Sequence, residues 1–166
     1  KNFKKIISEP GNKQSLSDDV VWAIHEDKNS ILWVGTYRGG LNRIDREKND
    51  FKVFKRDPLN LRTISDNHIR SIAEDKDGYL WVGTFSGGLN KFNKTNGSVT
   101  RYQFDPDDEF SLPANQIQSI FIDDQNTVWV AAYGGGIACF KLADSYDEKI
   151  KFIRYQHNKS DPNSIV

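Results

Sequence analysis

The chain has 166 residues, of which 37% are hydrophobic and 12% aromatic, which is enough for the packed core of one folded domain. Basic and acidic side chains balance at 23 each, so no net field favours nucleic acid or an anionic membrane as a partner. The single cysteine, Cys139, excludes an internal disulfide, and no run of about 20 apolar residues predicts a membrane-spanning helix.

A repeat with a period of 48 residues organises the sequence. Trp33, Trp81 and Trp129 follow one another at this spacing, each within a similar apolar string that ends in a pair of glycines. The third copy carries an insertion of about five residues around 143–148. Internal repeats of this length are typical of solenoids and propellers. The predicted divisions are 1–16 (fourth strand of a preceding unit, around Phe3 to Ile7, and linker), 17–64, 65–112, 113–163, and 164–166 as the start of a next unit.

Each unit contains the pattern of four short strands. The first strands are predicted at 20–26, 69–74 and 117–122 and end in acidic turns such as Asp27-Lys28-Asn29-Ser30, whose side chains favour tight hairpins. The second strand, 31–36 and its copies, is nearly all apolar, as expected for a strand covered on both faces. Third strands are predicted at 41–44, 89–92 and 137–140, and the more polar fourth strand of the first unit at 51–54.

Glycine pairs precede each third strand. We predict that both members supply the positive φ angles that a hairpin needs. The pairs are Gly39-Gly40, Gly87-Gly88 and Gly135-Gly136.

Four antiparallel strands recurring at 40 to 50 residues predict an all-β fold of propeller blades, because each sheet buries its faces only against the next sheet. Trp33, Trp81 and Trp129 are expected in the core between blades. Three blades do not close a ring, which needs roughly four to eight. The chain is therefore expected to be an incomplete ring, either a segment of a longer propeller or a piece that closes by pairing with a second copy of itself.

The stretch 75–89, D-K-D-G-Y-L-W-V-G-T-F-S-G-G-L, resembles the two-component regulator propeller repeat. The resemblance extends over essentially the whole chain, with Ala131-Ala132 replacing Gly-Thr in the third copy. It implies a periplasmic location, although the chain itself contains no recognisable targeting segment. It also implies a sensor region of a hybrid two-component system, whose membrane helix and histidine kinase are not in this chain, and recognition of a glycan-derived signal.

Positions at which the three copies differ are the candidates for a specific site. The second residue in the core of each first strand is Trp22, Arg70 or Gln118, and first strands line the central channel of a propeller. These three side chains either converge on an oligosaccharide or simply solvate the mouth of the channel. The hairpin tips Tyr37-Arg38, Phe85-Ser86 and Tyr133-Gly134 place an aromatic residue at each rim, as a platform for a sugar or as a cap on the next blade.

Other chemistry is not indicated by the sequence. His25, His68 and His157 occupy non-equivalent positions without the spacing of metal ligands, so we expect neither a metal nor a cofactor. Catalytic motifs are also missing. We therefore expect a binding segment that forms a homodimer or packs on further blades, without contact with membrane or nucleic acid. Two alternatives remain, a polysaccharide lyase or hydrolase on a propeller and a scaffold that binds only proteins.

Overall fold

The computed structural model describes residues 5–146, 149–162 and 164–165. Within these ranges twelve strands form three separate antiparallel sheets, in each of which neighbours in sequence are neighbours in space. The first sheet contains β1 (Val21–Glu26), β2 (Leu32–Thr36), β3 (Leu41–Asp45) and β4 (Asp50–Phe54). The second contains β5 (Ile69–Glu74), β6 (Leu80–Thr84), β7 (Leu89–Phe92) and β8 (Val99–Tyr102). The third contains β9 (Ile117–Ile122), β10 (Thr127–Ala132), β11 (Gly136–Lys141) and β12 (Ile153–Tyr155).

The insertion in the third unit lies between β11 and β12. Its first part is a short 3-10 helix, Leu142–Tyr146, and residues 147–148 lie outside the described ranges. The helix begins with buried Leu142, which packs into the core between the second and third sheets. The extra residues therefore lengthen one hairpin connection and leave the four-stranded sheet complete.

An aspartate closes the turn between the first and second strand of every sheet. One oxygen of Asp27 accepts hydrogen bonds from the backbone N–H groups of Asn29 and Ile31, and the other accepts one from the Trp33 indole at 2.9 Å. The same indole contact joins Trp81 to Asp75 at 2.9 Å and Trp129 to Asp123 at 2.8 Å. Each tryptophan is thus fixed in its own blade by the turn that begins its hairpin.

The sheets stack face to face, with the first strands of successive sheets side by side. Trp33 is buried between the first two sheets and meets Phe92 of the second at a ring-centroid distance of 5.5 Å. Trp81 is buried between the second and third sheets and meets Phe140 at 5.0 Å. The prediction of an all-β propeller with an open ring is confirmed, because successive blades cover each other through these cores.

Trp129 lies on the outer face of the third sheet, which no other sheet of the described residues covers. It is half-buried and tilts against Tyr155 at a centroid distance of 6.1 Å. On the same face Phe121 and Ile153 are 63% and 59% exposed. The third tryptophan therefore occupies the position of the other two without the covering blade.

A glycine in the central strand lets the next blade approach closely. A Cβ atom at Gly35 would lie 2.5 Å from Cγ2 of Ile69 in the second sheet, and one at Gly83 would lie 2.5 Å from Cγ2 of Ile117 in the third. Real Cβ contacts are not that short, so the isoleucine occupies the space that the missing side chain leaves. The third equivalent position, on the outer face, holds Ala131.

The prediction that both glycines of each hairpin pair need positive φ is wrong for the first member. Only the second glycine has positive φ, with values of 85° at Gly40, 79° at Gly88 and 75° at Gly136. A Cβ at the first member would instead collide with the linker, 2.7 Å from the Ser17 Cβ at Gly39 and 2.7 Å from the Ser65 Cβ at Gly87. Gly135 is similarly close, at 3.0 Å, to the Ala114 Cβ.

The linkers that flank the blades share one hydrogen-bonding pattern. In each, a backbone N–H group donates to a Ser or Thr hydroxyl six residues later, as from Asp57 to Thr63 at 3.0 Å. Equivalent bonds lie within residues 9–15, 105–111 and 158–164. The fourth strand predicted around Phe3 to Ile7 begins outside the described residues, and its described part, residues 5–7, is not in a strand. Val166 of the predicted next unit also lies outside the described residues.

Candidate ligand-binding site

A β-bulge lies near the start of each first strand. The strand register shifts between Val21 and Ala23, between Ile69 and Ser71, and opposite Ala131 and Ala132 in the third sheet. The residues passed over by these shifts are Trp22, Arg70 and Gln118. A bulge redirects the side chain of its extra residue away from the regular alternation of the strand. The three positions predicted to face the channel are therefore the three bulge positions.

Arg70 and two aromatic rings form the centre of the site. The guanidinium carbon lies 3.8 Å from the centroid of the Trp22 ring in the first blade and 5.0 Å from that of Phe85 in its own blade. Both distances are within the range of cation–π attraction. Arg70 Nε is buried and has no hydrogen-bond partner among the described residues. The structure thus brings together three of the predicted residues across a blade boundary.

Further rings extend this cluster along the rim. Tyr37 meets the edge of Trp22 at a centroid distance of 4.6 Å and lies 5.0 Å from the ring of His68. His68 in turn is 6.0 Å from Phe85, and the Arg38 guanidinium lies over Tyr37 at 4.8 Å. Sequence reasoning considered His68 only as a metal ligand and missed it here. Its position two residues before Arg70, directly before the first strand of the second sheet, was the available signal.

Two aspartates hold the rim in place. Asp18 accepts a hydrogen bond from the backbone N–H of Arg38, and Asp66 accepts bonds from the N–H and hydroxyl of Ser86. Asp66 also lies 3.2 Å from Nδ1 of His68. The carboxylates are thus committed to backbone and rim groups, and the Arg70 guanidinium has no carboxylate partner among the described residues.

The cluster lines a shallow depression of about 430 Å³ between the first and second blades. Its lining residues are Val20, Trp22, Tyr37, His68, Arg70 and Phe85. Ligand pockets are concave and mainly apolar with few polar groups, and this one combines aromatic walls with one guanidinium and one imidazole. The arrangement is suited to stacking a flat ligand and holding one polar group.

Two of the predicted residues are not part of this cluster. Tyr133 is exposed at the rim of the third blade and makes no ring contact within the described part of the chain. Gln118 is half-buried at the third bulge and does not line the depression. The aromatic site therefore belongs to the boundary of the first two blades, because only there does an aromatic bulge residue meet a basic one.

The opposite edge of the same boundary holds a polar cavity of about 510 Å³. There, Lys94 Nζ lies 2.9 Å from Asp27 and 2.6 Å from Glu74, and His25 contacts Glu74 at 3.3 Å. Burial raises the pKa of Asp27, but the hydrogen bonds from Trp33, Lys94 and the backbone outweigh it and lower the pKa to about 2. Burial likewise opposes the charge of Lys94, whose pKa is nevertheless raised by the two carboxylates. This network joins two blades and leaves its charged groups paired.

Neither edge offers a metal centre. Within residues 5–146, 149–162 and 164–165 no group of three or more His, Cys, Asp or Glu side chains is placed to hold an ion. In the same ranges no helix has the length and apolarity needed to cross a membrane.

Comparison with solved structures places the fold among extracellular domains. The extracellular domain of hybrid two component system BT3049 from B. thetaiotaomicron is 19% identical, with a TM-score of 0.74 over 90% of this chain. That of BT4673, from the same organism, is 26% identical, with a TM-score of 0.69 over 88% of this chain. The chain spans 20% of the length of each.

An enzyme has a more distantly similar structure. Virginiamycin B lyase from Staphylococcus aureus is 15% identical, with a TM-score of 0.58 over 92% of this chain and 45% of its own. At that identity the similarity concerns the fold alone.

Family comparison identifies the repeat itself. No curated protein matches the sequence. Three segments, residues 15–38, 63–86 and 111–134, match the family model described as two component regulator propeller. Each segment runs from a linker through the first two strands of one blade to its hairpin tip. One segment in each of the three sheets therefore matches the two component regulator propeller repeat, and the fold is similar to that of the extracellular domains of hybrid two component systems.

Proposed function

We propose that this chain is an extracytoplasmic sensing segment of a two-component signalling protein and that it binds a glycan-derived ligand between its first two blades. The observation that carries the proposal is the aromatic cluster around Arg70, which spans two blades and stands open at the rim. A ligand held there contacts Trp22 of one blade and Phe85 of the next. Such a ligand favours one relative arrangement of the two blades, and a differential affinity of this kind is what a sensor needs to shift an equilibrium.

The residues of the depression match the needs of saccharide recognition. Trp22 and Tyr37 offer apolar ring surface for the C–H groups of a pyranose, and His68 and Arg70 offer donors for its oxygens. The hydrogen bonds of Asp18 and Asp66 to the hairpin tips keep the rim in one conformation before a ligand arrives. Preorganisation lowers the entropic cost of binding.

Thermal-shift and calorimetric screens against neutral and acidic oligosaccharides test this function. We expect at least one saccharide to raise the unfolding temperature of the wild type and Trp22→Ala to abolish the shift. Tyr133→Ala provides the matched control, because it removes an aromatic residue at the equivalent rim of the third blade without touching the depression. If no saccharide binds, or if both variants behave alike, the proposed site is wrong.

A second candidate function is protein association through the outer face of the third sheet. Phe121, Ile153 and Tyr155 are exposed there beside the half-buried Trp129. We propose that a second copy of the chain or a further blade of the parent protein covers this face, since exposed apolar patches of this kind mark interaction sites. Light scattering is expected to give the mass of a dimer. A stable monomer whose mass is unchanged by Phe121→Lys would contradict self-association.

A further inference from the structure

Arg70 is the one guanidinium in the candidate site that lies between two blades. Its guanidinium carbon lies over two rings, 3.8 Å from the centroid of Trp22 and 5.0 Å from that of Phe85. The side chain is partly buried, and its Nε atom has no hydrogen-bond partner among the described residues. No carboxylate within the described ranges forms a salt bridge with it. Within the described residues the guanidinium thus contacts aromatic rings and no carboxylate, so N–H donors remain for a ligand.

The nearby carboxylates do not pair with the Arg70 guanidinium. Both oxygens of Asp66 are engaged, one with His68 and the other with Ser86. Asp18 is engaged in the same way with the backbone of Val20 and Arg38. At the opposite edge of the same blade boundary, Lys94 by contrast pairs with both Asp27 and Glu74. Of these two basic side chains, Lys94 has carboxylate partners and Arg70 has none within the described residues.

The geometry of the guanidinium determines which ligand group can pair with it. Its N–H donors lie in one plane and match two oxygens of a carboxylate or sulfate, whereas a neutral hydroxyl accepts only one of them. We infer that the depression between the first two blades recognises a saccharide through an oxyanion, a carboxylate or sulfate group bound to the edge of Arg70. The inference rests on the proposed function and adds the chemical class of the ligand.

Differences between the repeats also support a role of Arg70 in recognition. At the bulge position the three units carry Trp22, Arg70 and Gln118, so the sheet tolerates a neutral polar side chain there. The strand register and the bulge are alike in the second and third sheets. The arginine is therefore not required to form the bulge, and its charge is free to serve recognition.

Isothermal titration calorimetry of the full chain tests the inference with four probes, namely digalacturonic acid, N-acetylglucosamine 6-sulfate, cellobiose and sodium sulfate. Two variants are compared with the wild type. Arg70→Gln installs the side chain of the third unit, and Arg70→Lys keeps the charge without the planar edge. Circular dichroism and the urea midpoint establish that both variants are folded.

We expect Arg70→Gln to weaken binding of the acidic sugars by roughly 10- to 100-fold, the range for a lost charge-assisted hydrogen bond. Arg70→Lys should lose less, and cellobiose should bind all three proteins equally weakly. Added NaCl should weaken binding of the acidic sugars to the wild type because the interaction is charged.

The outcomes separate this inference from the proposed function. If cellobiose binds as tightly as the acidic sugars, or if Arg70→Gln leaves their affinity unchanged, the oxyanion inference is overturned while saccharide binding stands. If no sugar binds but sodium sulfate binds in an Arg70-dependent manner, the oxyanion site stands and the proposed saccharide function fails. If none of the four probes binds the folded wild type, both fail.

Discussion

The ion pair of Lys94 gives the most informative test of how the first two blades are joined. Its side chain is 15% exposed, and the carboxylates of Asp27 and Glu74 that it contacts are 2% and 6% exposed. Replacing Lys94 by leucine removes the cation and leaves two buried carboxylates without it. Breaking a buried pair in this way costs about 3 to 5 kcal/mol of the free energy of unfolding.

The third unit of the same chain has apolar residues at the positions of this ion pair, so it does not bury charges there. Forty-eight residues after Glu74 and Lys94 stand Ile122 and buried Leu142, which pack in the core between the second and third sheets. In the first unit the equivalent residues, Glu26 and Arg46, again form an ion pair, at 2.6 Å. The two positions thus change together between charged and apolar, as expected for two side chains that form an ion pair in the first two units.

We therefore expect the double variant Lys94→Leu, Glu74→Ile to recover most of the stability that Lys94→Leu loses. Asp27 keeps its bonds to the Trp33 indole and the backbone in that variant. Replacing a buried ion pair by apolar residues of similar volume is often neutral in stability. The expected coupling energy between the two substitutions is about 2 kcal/mol or more.

Urea unfolding at pH 7 of the wild type, both single variants and the double variant measures this coupling. Equal denaturant slopes are required for the comparison, since a changed slope indicates a changed unfolded or native state. The reasoning is refuted if the costs of the single variants add in the double variant. It is also refuted if Lys94→Leu alone costs less than about 1 kcal/mol, the value of an exposed pair.

Two further predictions concern packing and pH. Gly35→Ala should lower the free energy of unfolding by about 1 to 3 kcal/mol because the added Cβ collides with Ile69. In the same urea assay the double variant Gly35→Ala, Ile69→Ala should show coupling between the two substitutions. Additive effects would contradict the close contact. The folded pKa of Asp27, about 2, lies below its ordinary value of 3.8, so the stability it contributes is present above pH 4 and is lost as the pH falls toward 2. The shift of the pKa amounts to about 2 kcal/mol of unfolding free energy. As the pH falls from 5 to 2, the urea midpoint of Asp27→Asn should therefore fall less steeply than that of the wild type. Parallel curves for the two proteins would exclude this contribution of Asp27.

Much of the fold could be predicted from the sequence because it depends on local and repeated signals. The spacing of Trp33, Trp81 and Trp129 established the repeat, and the acidic turns and apolar runs predicted where strands begin and end. Repetition also indicated which faces pack, since only a neighbouring unit covers a sheet that recurs every 48 residues. These features require no knowledge of which residues meet across blades.

The candidate site was only partly predictable. The variable positions Trp22 and Arg70 were recognised in the sequence, but their stacking at 3.8 Å and the inclusion of His68 depend on a bulge and on the approach of two blades. Gln118 was grouped with them by alignment, although the structure gives it no place in the depression. An alignment of repeats shows equivalent positions, whereas a site is formed by non-equivalent residues that meet at one boundary.

The sequence by itself determined the repeat, the order of strands and the role of the turn aspartates, because each of these depends on residues close together in the chain. Only the tertiary structure decided the partners of Lys94, the exposure of Trp129 and the packing role of Gly39. Those properties depend on which blade lies beside which, and residues 46 to 67 positions apart, such as Lys28 with Glu74 and Asp27 with Lys94, come into contact only when the sheets stack.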